Sequence, residues 1–343
     1  MLVLLAAALF PSAGRAGLRW GRPTEDHLTG WVAGTAGRIT SLKGSVQETT
    51  RPFYDLTEPD KNTQFAESYT LEELGFDGGY STFGLAFEKA WSFFTFQANL
   101  SYLNPFVRSE AVRDYYIGVQ EVSFNGKKYE YMNIPEGTPF TAEMEGGTFG
   151  MRGMLTPVSL TGGNVLEITP SIGLGLNAFF SFFEIDAGPA QGVVLYEIPP
   201  HEYVVGGHGR GWSGMVLPEL GAAVEIRLRT GNEKWMGPEL ILQGYYALFD
   251  FSGSTEDLGI TSSRNAKVLG LEYDHYEARA LLSLPVLKAV ELLIGVGVQH
   301  MRADAEILAE DRPAEEVEER REKFNKFVHL EMTSVMFFAG LRF

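Results

Sequence analysis

The sequence predicts an all-β chain: an antiparallel up-and-down barrel of about ten strands that crosses a membrane with its strands. Three observations carry this. Apolar residues alternate with polar ones at period two over unusually long segments. The composition suits strands and tight turns, with 39 Gly, 24 Phe and 14 Tyr in 343 residues. Connections alternate between short and long. Successive side chains of a strand face opposite sides. One uniformly apolar parity therefore marks a face toward hydrocarbon, and the other a polar interior.

Taking the elements in order, strands are expected over residues 29–41, 79–88, 91–103, 148–160, 164–182, 212–229, 236–250, 267–284, 288–302 and 328–343. From Ser92 to Tyr102, Phe94, Phe96, Ala98, Leu100 and Tyr102 share one parity, while Thr95, Gln97, Asn99 and Ser101 share the other. Phe83, Leu85 and Phe87 alternate just before, joined through a turn at Lys89-Ala90. Ile172, Leu174, Leu176 and Phe180 oppose Glu167, Thr169, Ser171 and Asn177. Val216, Leu220, Val224 and Ile226 oppose Glu219, Glu225, Arg227 and Arg229. Leu281–Val298 is apolar enough to test as a spanning helix. It would bury Lys288, Glu291 and Pro285 in lipid, so two strands joined near 285–287 are the better reading.

Turns after the second, fourth, sixth and eighth strands are short, at 89–90, 161–163, 230–235 and 285–287. The other connections are long and polar, as in barrels with short turns at one mouth and loops at the other. Loops 42–78 and 104–147 have room for further strands, which would make the count twelve; eight is the low alternative. Asn125-Gly126 signals a hairpin within Val122–Met132. Residues 313–326 (PAEEVEERREKFNK) have the composition of a solvated loop helix. Residues 205–214 (VGGHGRGWSG) read as a flexible glycine-rich loop and lack the context of a phosphate site.

The two ends sharpen the class. Leu2–Phe10 is an apolar run, broken by Pro11-Ser12 and followed by Gly14-Arg15-Ala16. It resembles a secretory leader cleaved after Ala16, though without a basic start. Residues 1–16 are then the leader, 17–28 an N-terminal periplasmic segment and 29–343 the barrel. At the other end Val335, Phe337, Ala339, Leu341 and Phe343 share one parity. An aromatic last residue preceded by such an alternation resembles the assembly signal of bacterial outer-membrane β-barrels. That resemblance covers about ten residues. It implies location in the outer membrane, contact with its lipid and lipopolysaccharide, and recognition of the last strand by the barrel-assembly machinery.

The inward parity is expected to hold Glu88, Glu167, Glu219, Glu225, Glu239, Glu277 and Glu291 against Arg38, Arg152, Arg227, Arg229, Arg279 and Arg342. Near-balance of charge predicts a paired network, because an unpaired buried charge is costly. Gly295 and Gly297 would leave room for arginines of a neighbouring strand. With about ten strands the lumen is plugged or narrow.

Chemistry is otherwise sparse. A net charge of −16 excludes nucleic-acid binding, and the absence of Cys excludes thiol catalysis and Cys-zinc sites. Some outer-membrane proteases are ten-stranded and use aspartates and a histidine at the outer rim. Here the nearest counterpart is Asp274-His275, but adjacent strand residues face opposite sides. The six histidines show no triad or metal spacing, no EF-hand is present, and no cofactor motif is found. The expectation is a non-enzymatic barrel of structural, surface-binding or adhesive type acting through loops 42–78, 104–147 and 183–211. A small solute or ion channel is the alternative, and a rim hydrolase the third.

Overall fold

The computed structural model describes residues 16–22, 30–54, 62–76, 79–113, 122–124, 127–129, 131–133, 136–163, 165–186, 194–198, 201–205, 208–230, 237–252, 266–287, 289–309 and 325–343. In chain order the strands are β1 (Ala16–Trp20), β2 (Gly30–Tyr54), β3 (Asn62–Thr70), β4 (Tyr80–Ala90), β5 (Phe94–Leu103), β6 (Phe106–Glu110) and β7 (Val122–Phe124). Then come β8 (Lys127–Tyr129), β9 (Tyr131–Asn133), β10 (Pro139–Leu155), β11 (Val158–Gly162), β12 (Leu166–Asp186), β13 (Val194–Ile198) and β14 (His201–Val205). The last five are β15 (His208–Arg229), β16 (Glu239–Ser252), β17 (Ala266–Leu287), β18 (Val290–Ala309) and β19 (Asn325–Arg342).

Ten of them close a ring: β2, β4, β5, β10, β12, β15, β16, β17, β18 and β19, each hydrogen-bonded antiparallel to the next, with β19 returning to β2. Closure leaves the ring no free edge. Gly30 and Phe343 seal the seam, their amides and carbonyls exchanging two bonds of 2.8 and 2.9 Å. One mouth carries the short connections and Phe343 (the turn end); the other carries the long ones (the loop end). All ten expected strands are present, and the ring strands reach farther toward the loop end than alternation indicated. The 25 residues of β2, 21 of β12 and 22 of β17 exceed the 9–11 or so that a tilted strand needs to cross a bilayer.

Several expectations are corrected. The strand expected over 148–160 ends at Leu155. Thr156-Pro157 break it, because proline cannot donate to the ladder, and 158–162 form β11 beside β12 and β1. The turn expected at 89–90 lies at 91–93, since β4 runs through Ala90. Pro285–Leu287 remain in β17, with a register shift. Residues 208–214, expected as loop, are the first residues of β15 paired to β12. Val122–Phe124 and Lys127–Tyr129 do pair as a hairpin. Residues 1–15 of the expected leader and 313–324 of the expected loop helix over 313–326 lie outside the described residues, and Asn325 and Lys326 begin β19.

Side chains of ring strands alternate between a buried and an exposed face. The exposed face carries a belt of large apolar groups around the barrel, including Phe83 (63% exposed), Leu85, Leu174 (68%), Phe182, Val216 and Phe337 (60%). Aromatic residues border it. Trp20, Trp91, Phe93 and Phe343 are exposed at the turn end. On the other border Tyr246, Tyr276 and His300 stand in neighbouring register positions, with Tyr276 stacked on His300 at 4.6 Å. From Val290 to His300 the rise is about 25 Å, taking ~3.3 Å per residue and ~40° of tilt. Val335, Phe337, Ala339, Leu341 and Phe343 all lie on this outer face, and Phe343 is 42% exposed.

Candidate functional site: a lumen in two tiers

Toward the turn end the interior holds the buried charges, packed beside a smaller apolar cluster of Trp31, Ala33, Ala86, Ile241, Leu281, Leu293, Met336 and Phe338. Glu88, Glu167, Glu219, Glu225, Glu239, Glu277 and Glu291 are all at most 5% exposed. Arg152, Arg227, Arg279 and Arg342 are buried with them, and Arg229 is half-buried. Each sits on the inward parity of its strand, as the alternation requires. Arg38 is the exception: it is exposed, because Trp31, Ala33 and Ile39 take the inward parity of β2 and leave even positions outside.

These groups form three layers. At the mouth, Arg229 bonds Glu239 at 3.1 Å and reaches Glu167 at 3.5 Å. Arg342 binds Glu239 and, at 3.2 Å, Glu291, to which Ser283 donates. In the middle, Arg152 bonds Glu277 at 2.5 Å and Gln97 at 2.5 Å and lies 3.8 Å from the Tyr245 ring centre. Arg279 pairs with the same Glu277. Opposite Arg279 stands Gly297, where a Cβ would come within 3.2 Å of the Arg279 Cγ. Gln243 bridges Glu88 and Glu225 at 2.9 and 2.7 Å, and Arg227 holds Glu225 at 2.6 Å.

In the uppermost layer the Glu219 carboxylate accepts from Tyr273 at 2.6 Å, Tyr245 at 2.9 Å and Asn177 at 3.3 Å, and lies 2.7 Å from His275 Nδ1. Gln299 contacts the other His275 nitrogen at 3.0 Å. Alternation in the sequence points to Glu219 but not to this set. Tyr245 and Tyr273 look like apolar positions of their strands, and in sequence His275 suggests only a pair with its neighbour Asp274. The structure puts His275 inside at 2% exposure and Asp274 on the outer parity, bonded by Tyr246 at 3.1 Å. The two share no cleft.

Above Glu219 the lumen turns apolar, which corrects the expected polar interior. Ile39, Leu42, Leu103, Phe140, Met144, Phe179, Phe183, Ile185, Leu217, Met301, Leu330 and Met332 form one buried cluster. Its centre is a plug from the β3–β4 connection. Leu71 (4% exposed), Leu74 (0%) and Phe76 (0%) insert into it. The plug is a single tight turn capped like a helix at both ends. Thr70 and Glu73 exchange bonds, Glu73 Oε2 accepting from the Thr70 amide at 2.8 Å and Thr70 Oγ1 from the Glu73 amide at 3.1 Å. Gly75, at φ 81°, sends its amide to Glu72 O, and the Phe76 amide reaches Leu71 O. That is a Schellman closure, with Phe76 and Leu71 as its hydrophobic contact. Arg113 of the next loop pairs with Glu73 at 3.0 Å. The spacing Thr70-Leu-Glu-Glu73-Leu-Gly75-Phe76 carries this signal in the sequence, inside a loop read only for strands.

A second contact missing from the sequence reading lies at the turn end. The expected periplasmic segment supplies β1, which pairs with β11. Beyond it Arg22 passes into the lumen and bonds Glu225 at 2.9 Å. Seven buried carboxylates thus meet five guanidiniums carried by ring strands, and Arg22 supplies the sixth.

The voids left in the polar tier are small. One of about 20 Å³ lies among Arg22, Gln97, Arg152, Glu225 and Gln243, and another of about 10 Å³ lies beside Asn177, Glu219 and His275. Each is at most about the size of a single water. The buried Gln243 Oε1 and Asn177 Oδ1 lack protein partners, and a water in these voids would satisfy them. At the loop end Asp304 joins Arg302 at 2.8 Å and His329 at 2.5 Å, tying β18 to β19. Among the described residues no group of three His, Asp or Glu is arranged to hold a metal ion.

No protein-family model matches the chain, and a search of curated proteins finds no match. Among solved structures, one similar chain is the outer membrane protease OmpT from Escherichia coli, at 8% identity and TM-score 0.38, covering 97% of this chain and 99% of that one. Another is a deltaS2 mutant of the TodX monoaromatic hydrocarbon channel, at 7% identity and TM-score 0.20, covering 92% of this chain and 90% of that one. The assignment of the fold rests on the closed ring of ten antiparallel strands.

Proposed function

We infer that the protein is an integral β-barrel of the bacterial outer membrane, closed to solutes, that acts through its loop-end surface in a structural, binding or adhesive role. The observation that carries the membrane part is the outer belt. Water-soluble monomers rarely expose more than a few hundred Å² of contiguous apolar surface, and this belt runs around the whole ring between two aromatic borders. Paired charges behind the belt complete the inside-out arrangement that a bilayer requires. The outward residues of β19, Val335, Phe337, Ala339 and Leu341, continue the belt.

Closure is supported by two unlike seals in series, an ion-paired layer and an apolar plug. A channel would need both displaced at once. A rim hydrolase built on Asp274 and His275 is disfavoured because the wall of the barrel separates them. The test is to purify the protein and reconstitute it. The proposal expects dependence on detergent, heat-modifiable gel migration and no unitary conductance in planar bilayers. A protein that stays dispersed without detergent would remove the membrane reading, and discrete conductance steps would remove the closed one.

A further inference from the structure

We propose that the turn-end compartment of the lumen is a guanidinium-binding site, occupied here by the chain's own Arg22, and that a free alkylguanidinium ion takes the site when the N-terminal arm is withdrawn.

The site is built by the ring. Glu225 is 4% exposed, and its carboxylate is shared between Arg227 and Gln243 on the wall and Arg22 from the arm. The strand-borne charges inside leave the acids in excess, so this carboxylate calls for one more cation. A carboxylate paired with a planar cation in a dry setting favours guanidinium over a hydrated ammonium. The void of about 20 Å³ borders the Arg22 guanidinium, and Arg22 Nε is buried without a partner. The socket is therefore larger than the group in it.

The arm has the features of a removable stopper. Its strand β1 has one pairing partner, β11, whereas every ring strand has at least two. Leu18 (67% exposed) and Trp20 (79%) add little packing. What locates the arm is a notch beside the β4–β5 turn. There the Gly21 amide bonds Pro157 O at 2.9 Å, the Arg22 amide bonds Ser92 O at 2.6 Å, and Ser159 donates to Gly21 O at 2.8 Å. Gly21 lies at φ 68°, and a Cβ there would fall 2.6 Å from Ser92 O. Only glycine passes this point without displacing the wall, so the arm's hold depends on a narrow fit.

The experiment is chemical rescue in the reconstituted, full-length barrel. Arg22→Ala is expected to lower the temperature at which the heat-modifiable form is lost. Methylguanidinium at ~10 mM should restore at least half of that shift, by binding the folded state alone. Equimolar sodium or tetramethylammonium should not, and the unmodified protein, its site already filled, should not respond. Combining Arg22→Ala with Glu225→Gln should abolish the rescue. If Arg22→Ala fails to fold, a protease site placed within 23–29 and cut after folding releases the arm instead, with the same ions as probes. Rescue by any salt, or no rescue in the cut barrel, would overturn the proposal. Neither result bears on whether the barrel is embedded or conducts.

Discussion

The two halves of this barrel solve opposite solvation problems with the same strands. On β18 the turn-end half points Leu292, Ile294, Val296 and Val298 outward, and Glu291 and Gln299 inward together with Leu293 and two glycines. A few residues on, Met301 and Ala303 point inward while Arg302 is exposed. On β17 the switch comes at Tyr273: Glu277 and Arg279 are inside below it, and Glu272 is outside just above. The turn-end half is inside-out, and the loop-end half is built like a water-soluble protein. The alternation persists throughout; what changes along each strand is which parity is apolar. That change places the edge of the hydrocarbon. It also explains the two seals. A polar interior can be closed by ion pairs borne on the wall, whereas an apolar interior needs added apolar volume, which the Leu71–Phe76 turn delivers.

Breaking the polar tier is expected to have the largest effect. Arg152→Ala leaves buried Glu277 with Arg279 as its remaining guanidinium and takes the donor from Gln97 Oε1; it should cost about 3–5 kcal/mol, read as a loss of folded, heat-modifiable barrel. Retained stability would mean that this tier is wet and weakly coupled. Leu74→Ala, a cavity in the plug, should cost about 2–4 kcal/mol. Its signature differs: hydrogen exchange should rise over 70–76 while β16–β19 stay protected, and no conductance should appear, because the polar tier still blocks the lumen. Gly75→Ala probes the plug's closure. With φ at 81° and a new Cβ 2.9 Å from the Ser109 side chain, it should cost about 1–3 kcal/mol and act locally.

The smallest effect is a pH dependence at the loop end. Partial burial pushes the Glu73 carboxyl up, but the hydrogen bonds from Arg113 and Thr70 outweigh it and hold it below its usual 4.5. A depressed value in the folded state contributes stability that is present above the ordinary pKa and lost as pH falls through the folded one. Proteolysis within 70–76 should therefore rise below about pH 4, and Glu73→Gln should flatten that rise.

Much of the barrel was legible because lipid imposes a strict rule: where Leu174 and Phe337 face hydrocarbon, one parity cannot tolerate charge. The rule weakens at the margins. Arg38 was assigned inward because Trp31 and Ile39, both buried, make the inner face of β2 apolar too, and alternation loses its contrast. The apolar tier was invisible for a related reason: Met301 or Ile185 inside looks the same in sequence as Ile294 outside. The break at Thr156-Pro157 carried a proline signal that a continuous strand reading passed over. The plug was fully encoded by its two caps but fell within a loop. The Arg22 contact joins positions 203 residues apart and has no local signature. Of the interior network, the charges borne by ring strands follow from parity, Arg38 excepted. Tyr245, Tyr273 and His275 do not, since a tyrosine meets lipid border and buried carboxylate equally well.

The inside-out half can be tested directly because the chain contains no cysteine. Single cysteines at Leu174, Phe337 and Glu272, each carrying a small fluorophore, can be read in vesicles containing brominated lipid. Strong quenching at 174 and 337 and little at 272 is the predicted result. Equal quenching at all three, or none at 174 and 337, would contradict a hydrocarbon boundary at the point where the barrel's polarity reverses.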